Sequence, residues 1–258
     1  MLEIVNLPDL VTSLPAEKRA LVTRIFHISA ATGSLVLPES MRNWIQEQFG
    51  SVELVKRQKI VKVTNMITME GTLFNGLRTS RPMQVRDKSY VELNEIIAQS
   101  QGDPFCRPRD MTPEDIFGRA AGKHCITASN VAKYDMFHGL VIFDEHDPLK
   151  FSEEEVDDYI DTGLSWAAEV NRADHDAKYF FLMWNCLWKS GASMVHGHLQ
   201  LTMSRDMHYA RIEHLRRAAL AYKRTYGSSY FEDLFDAHLC LGLAMKKDET
   251  RVLSYLTP

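Results

Sequence analysis

The sequence contains no apolar run approaching the roughly 20 residues that a membrane span needs. Its start, Met1-Leu2-Glu3-Ile4, lacks the basic-then-apolar order of a signal peptide. Both absences predict a cytoplasmic protein without a membrane partner. A basic excess is also lacking: 30 Lys and Arg stand against 34 Asp and Glu, a net charge of −4. That balance argues against nucleic acid as the partner and for a small molecule. The four cysteines, Cys106, Cys125, Cys186 and Cys240, form no C-x-x-C pair, and 258 residues can bury a core without disulfides, so they read as reduced thiols. No G-x-G-x-x-G or G-x-x-x-x-G-K follows a strand pattern, which excludes the usual dinucleotide and P-loop sites. Low-complexity segments and short-period repeats are missing too. What remains, 45% hydrophobic and 25% charged, is the composition of a globular protein.

Periodicity predicts an N-terminal helix opened by Ser13 and Pro15, carried by Leu21, Ile25 and Ile28 and stopped at Gly33. A second helix spans about 39–49. Short β-rich runs follow at 52–55 and 60–69, then an arginine-bearing loop, 75–82. Beyond the turn-rich Gly102-Asp103-Pro104-Phe105-Cys106, a short helix is expected from Thr112-Pro113 and strands at 123–128 and 138–143. Ser152-Glu153-Glu154-Glu155 is a capping box for a helix reaching about residue 171, with Val156, Ile160, Leu164 and Ala167 on one face. Strands at 179–186 and 195–203 come next, then helices at about 206–224 and 231–245 and a last apolar run, 252–256. This order predicts an α+β fold on an antiparallel sheet flanked by helices. The domains read as an N-terminal helical segment (1–50), a catalytic core (51–205) and a helical extension (206–258).

The segment that carries chemistry is Ser193-Met194-Val195-His196-Gly197-His198-Leu199-Gln200-Leu201. It alternates, with His196, His198, Gln200 and Thr202 on one face and Val195, Leu199, Leu201 and Met203 on the other. Polar groups on a strand built for burial need partners, and a polar ligand cleft supplies them. A neutral imidazole can attack phosphorus to give a phosphoramidate that a second acceptor resolves. In that chemistry His198 attacks, Gln200 donates through its amide, and His196 orients or binds a metal. Core histidines satisfied by neighbours, or a cupin-type H-x-H metal site, are the bland alternatives. The cupin reading wants a carboxylate where Thr202 stands.

His196-Gly197-His198-Leu199-Gln200 after Gly191-Ala192-Ser193 resembles the H-x-H-x-Q signature of the histidine-triad (HIT) superfamily. The resemblance is to the branch holding galactose-1-phosphate uridylyltransferase, diadenosine tetraphosphate phosphorylase and ADP-sugar phosphorylase. It implies a HIT-like antiparallel sheet, with His198 as the nucleophile that becomes nucleotidylated and Gln200 holding phosphoryl oxygens. Asn185, Ser193 and Asn130 match phosphate- or nucleotide-contacting positions of that family. Arg78-Thr79-Ser80-Arg81-Pro82 is similar to its R-x-x-R-P, where Arg78 and Arg81 would face phosphate, a role that suits guanidinium forks. The residues equivalent to the structural zinc ligands of some members are Asp103, Cys106, His146 and His196. A carboxylate replaces one thiolate there, and other members have lost the metal, so the resemblance leaves zinc open.

The resemblance covers roughly residues 70–258, and 241–258 looks like the lead-in to a second HIT-like half, which predicts a compact member or a chain lacking that half. It implies a nucleotidyltransferase or phosphorylase working by double displacement. An NMP group would pass from a sugar nucleotide or dinucleoside polyphosphate to phosphate or a sugar phosphate. It also implies a homodimer. The alternatives are a HIT-fold nucleotide hydrolase and a non-catalytic nucleotide-binding module.

Overall fold

A computed structural model describes residues 4–80 and 90–258. The chain divides into two units, Met1–Arg86 with Arg211–Pro258, and Asp87–Ala210.

In the first unit α1 (Leu7–Ser13) and α2 (Ala16–Ile25) lead into β1 (Phe26–Ser34). After α3 (Arg42–Phe49) and α4 (Val52–Lys56) come β2 (Arg57–Asn65) and β3 (Gly71–Asn75). The three strands form one antiparallel sheet in the order β1-β2-β3. Two expectations fail here. The helix expected to reach Gly33 stops at Ile25, because 26–34 pairs residue for residue with 57–65, from Phe26 opposite Asn65 to Ser34 opposite Arg57. Apolar spacing over so few residues fits helix and strand alike, and the long-range pairing decides. The run at 52–55 is one helical turn instead of a strand, because Ser51 caps it by accepting a hydrogen bond from the Leu54 amide.

The second unit holds α5 (Tyr90–Gln99), α6 (Pro108–Met111), β4 (Cys125–Ser129), β5 (Phe137–Phe143), α7 (Glu153–Ala173), β6 (Tyr179–Met183) and β7 (His198–Ser204). The helix expected from Thr112 lies just before it, since Pro113 restricts Thr112 to the extended conformation that ends α6. The antiparallel sheet runs β4-β5-β7-β6. One face buries Val141, Phe143, Leu199 and Leu201 with Trp166 and Tyr159 of α7. The register places Ile142 opposite His198, Leu140 opposite Gln200 and His138 opposite Thr202, so these share the other face. That face carries Ala128, Leu140 and Ile142 under Phe105.

The chain returns to the first unit through α8 (Ala210–Tyr226), α9 (Tyr230–Cys240) and the hairpin β8 (Ala244–Lys247) and β9 (Thr250–Leu253). Its core joins Leu7, Val22, Phe26 and Val61 to Leu241 and Leu256. Among the described residues no helix is long and apolar enough to cross a membrane.

Candidate active site

The alternating row is largely covered. His196, His198 and Thr202 are 2%, 6% and 1% exposed, and only Gln200 is half-buried. The strand starts at His198, not at Val195, because the backbone before it turns to place His196 among other ligating side chains. Gly197 makes that turn fit: its amide donates to the His146 carbonyl, and the Phe143 amide donates to its own carbonyl.

The imidazole of His198 has one fixed nitrogen. Its Nδ1 donates to the His196 carbonyl at 2.8 Å, which leaves the Nε2 lone pair as the reactive position. Burial holds both His196 and His198 below the usual histidine range, so each is neutral at pH 7. Phe105 meets the His198 ring edge-on, with centroids 5.3 Å apart.

Gln200 is oriented by a residue whose role sequence reasoning missed. The Tyr134 amide donates to His138 Nδ1 at 3.3 Å, which assigns the ring proton to Nε2. Nε2 then donates to Gln200 Oε1 at 3.2 Å, which leaves the Gln200 NH₂ uncommitted as a donor. Burial depresses the His138 pKa, partly opposed by that hydrogen bond, which keeps the ring neutral. Asn130 stands beside the ring, its Oδ1 accepting from the Ala132 amide; its Nδ2 lies 3.1 Å from His138 Nε2, and as both are donors that contact is not a hydrogen bond. Beneath it Asp115 accepts from Trp166 Nε1 at 2.7 Å and Ser129 Oγ at 2.6 Å, while Lys133 donates to Ser129 Oγ and the His138 carbonyl. His138 stands eight residues before His146 on a strand that otherwise reads as buried, and a buried histidine there is the signal that could have found it.

Asp103, Cys106, His146 and His196 converge, with one ligand atom from each lying within 4.8 Å of all the others. His196 Nε2 donates to the Phe143 carbonyl at 2.8 Å, and His146 Nε2 to the Ile97 carbonyl at 3.1 Å. Carbonyls only accept, so both Nδ1 atoms carry lone pairs, and these face each other at 3.1 Å. Cys106 Sγ lies 3.4 and 3.5 Å from the two Nδ1 atoms, and Asp103 Oδ1 is 3.5 Å from His196 Nδ1. Asp103 Oδ2 is buried without a hydrogen-bond partner. Converging lone pairs and an orphaned carboxylate oxygen repel one another unless a cation lies among them. Tetrahedral zinc bonds of 2.0–2.3 Å would set such donors about 3.3–3.8 Å apart; the two Sγ contacts and the carboxylate contact meet that spacing, and the donor set fits the metal in type. The carbonyls behind the two rings are the outer hydrogen bonds that fix metal-binding histidines.

Asn185 and Ser193 both lie on the β6–β7 connection, whose turn uses Gly191 at φ 98° with Asn185 Nδ2 close beside it. Ser193 is exposed. Arg78 is exposed in a 3₁₀ turn, Gly76–Ser80, of the first unit. Arg81 lies outside the described residues.

No protein-family model matches the sequence, and no curated protein matches it either. Similar solved structures include an ADP-glucose phosphorylase from Arabidopsis thaliana with bound ADP-glucose, at 17% identity and TM-score 0.43 over 64% of this chain. The chain spans 55% of that phosphorylase. A zinc-bound histidine triad family protein from Mycobacterium smegmatis is 21% identical, TM-score 0.36, over 49% of this chain and 98% of that one. A GalT-like protein from Arabidopsis thaliana is 16% identical, TM-score 0.37, over 50% of this chain and 48% of that one. The chain is thus similar, over part of its length, to proteins of histidine-triad fold.

Proposed function

We propose that this protein is a HIT-fold nucleotidyltransferase or phosphorylase that works through a covalent nucleotidyl-His198. The observation that carries this reading is the pair of fixed groups on one strand: His198 held by Nδ1 to leave Nε2 free, and Gln200 held by Oε1 to leave its NH₂ free. In the first step His198 Nε2 attacks the α-phosphorus of a sugar nucleotide or dinucleoside polyphosphate. The P–N bond forms as the P–O bond to the leaving phosphate breaks. Positive charge developing on the ring is stabilised by the His196 carbonyl at Nδ1–H. Charge shifting onto the phosphoryl oxygens is met by the Gln200 NH₂, with Asn130, Asn185 and Ser193 as further donors. In the second step an oxygen of phosphate or a sugar phosphate attacks, the P–N bond breaks, and His198 returns to its neutral form.

Asp103, Cys106, His146 and His196 would hold zinc, which would supply a structural cross-link and no bond-making. The cytoplasm as its compartment and a homodimer as its assembly belong to the same reading.

The test is intact-mass analysis after incubation with UDP-sugars, ADP-glucose and diadenosine tetraphosphate, beside His198→Ala. An acid-labile adduct of UMP or AMP mass in wild type alone is the expected result, and it names the base. Turnover without acceptor phosphate would make the protein a hydrolase. Nucleotide binding with no adduct from any donor would sink the covalent mechanism.

A further inference from the structure

Phe105 stands between two of the converging ligands, Asp103 and Cys106, in a turn tightened at one end. The same Asp103 Oδ1 that faces His196 Nδ1 accepts hydrogen bonds from the amides of Phe105 (2.8 Å) and Cys106 (3.2 Å). Pro104 fixes φ at the intervening position. From this turn the Phe105 ring reaches onto the polar face of the four-stranded sheet, against Ala128, Leu140 and Ile142. It lies edge-on to both motif histidines, with centroids 5.3 Å from His198 at 73° and 6.0 Å from His196 at 78°. His198 is tethered by Nδ1 alone, and one hydrogen bond leaves an imidazole free to tilt about it. The aromatic edge against the ring removes that freedom.

We propose that Phe105 is a positioning residue through which the metal centre sets the tilt of the His198 imidazole. Zinc bound by Asp103 and Cys106 closes the 103–106 turn at both ends, and the ring carried between them then has one place to lie. Its importance for activity rests on the reading of His198 as nucleophile; the coupling itself does not.

The experiment is long-range proton–nitrogen NMR of the His198 ring in the zinc-loaded full chain, the chelator-treated chain, Phe105→Leu and Phe105→Tyr. Phe105→Leu keeps the apolar contact with Leu140 and Ile142 and removes the aromatic ring. In Phe105→Leu and after chelation, the His198 carbon-bound protons should move in the same direction, losing one ring-current contribution. Zinc content of Phe105→Leu should stay equal to wild type, and Phe105→Tyr should restore the wild-type resonance. The rate of adduct formation should fall about tenfold or more in Phe105→Leu with nucleotide Kd unchanged, as expected for a misaligned attacking atom. A His198 resonance that ignores chelation or the Leu variant overturns the coupling, and so does loss of zinc from Phe105→Leu. A resonance that responds in a chain forming no adduct with any donor keeps the coupling and rejects the transferase.

Discussion

Gly197 separates the two motif histidines, and a Cβ built there would lie 2.4 Å from Cδ2 of Phe143. Phe143 cannot retreat, because its ring stacks on Tyr159 at 3.8 Å and is met edge-on by Trp184. The small residue between the histidines is therefore set by the sheet's opposite, α7-covered face. Gly197→Ala should cost about 1–3 kcal/mol, the range for overpacking a filled core. A urea melt followed by tryptophan fluorescence measures it. The backbone shift that relieves the clash also moves the His196 carbonyl, so adduct formation at His198 should fall with stability. An Ala variant as stable as wild type would show that the strand has room to adjust.

Among the elements, the start of α7 is the most legible in the sequence, and the reason is local; its buried face is not, because Tyr159, Gly163, Trp166 and Val170 pack on the sheet while Ile160 and Leu164, expected there, are exposed. Ser152 accepts from the Glu155 amide, and Glu155 Oε2 accepts from the Ser152 amide at 2.7 Å, so the whole start signal fits in four residues. Ser152→Ala should cost about 1 kcal/mol and lower Tm by roughly 2–4 °C, as loss of a cap does in a chain of this size. Differential scanning calorimetry reads that shift. β7 is legible for a similar reason, since period-two alternation marks a strand whatever lies on either side. β1 is not, because what makes 26–34 a strand is 57–65, and a short apolar run does not announce its partner. In the site, the alternating motif names His198, and the family resemblance names the four converging ligands. It does not reach the roles of His138, Tyr134 and Phe105, which exist only once β5, the 130–134 turn and the 103–106 turn meet over β7.

At the scale of the whole molecule, the two units have separate cores and should respond to different perturbations. Chelation of the zinc-loaded chain should destabilise the second unit, where the four candidate ligands lie, and hydrogen exchange should accelerate in peptides covering 97–106 and 195–200. Acid should act on the first unit through His238, which is fully buried. His238 Nδ1 donates to the Leu234 carbonyl at 2.7 Å, and Nε2 accepts from the Leu256 amide at 3.2 Å. That pattern ties α9 to the chain after β9 and fits only a neutral ring. Phe26, edge-on at 5.4 Å, and Tyr255 at 5.7 Å enclose it. Burial therefore holds the folded His238 below the usual histidine range, opposed in part by the Leu234 hydrogen bond. With the folded value depressed, the unfolded chain binds the extra proton. The contribution of His238 to stability is then complete above the unfolded value near 6.5, and it is lost as pH falls toward the folded value, at most about 1.4 kcal/mol per pH unit. Protonation would also aim an Nε2–H at the Leu256 N–H and break that tie. Peptides covering 230–256 should therefore exchange progressively faster from pH 6.5 downward, after correction for intrinsic rates. In His238→Gln, which has no proton to gain, that dependence should flatten. An unchanged acid response in the Gln variant would move the effect to other groups of the unit.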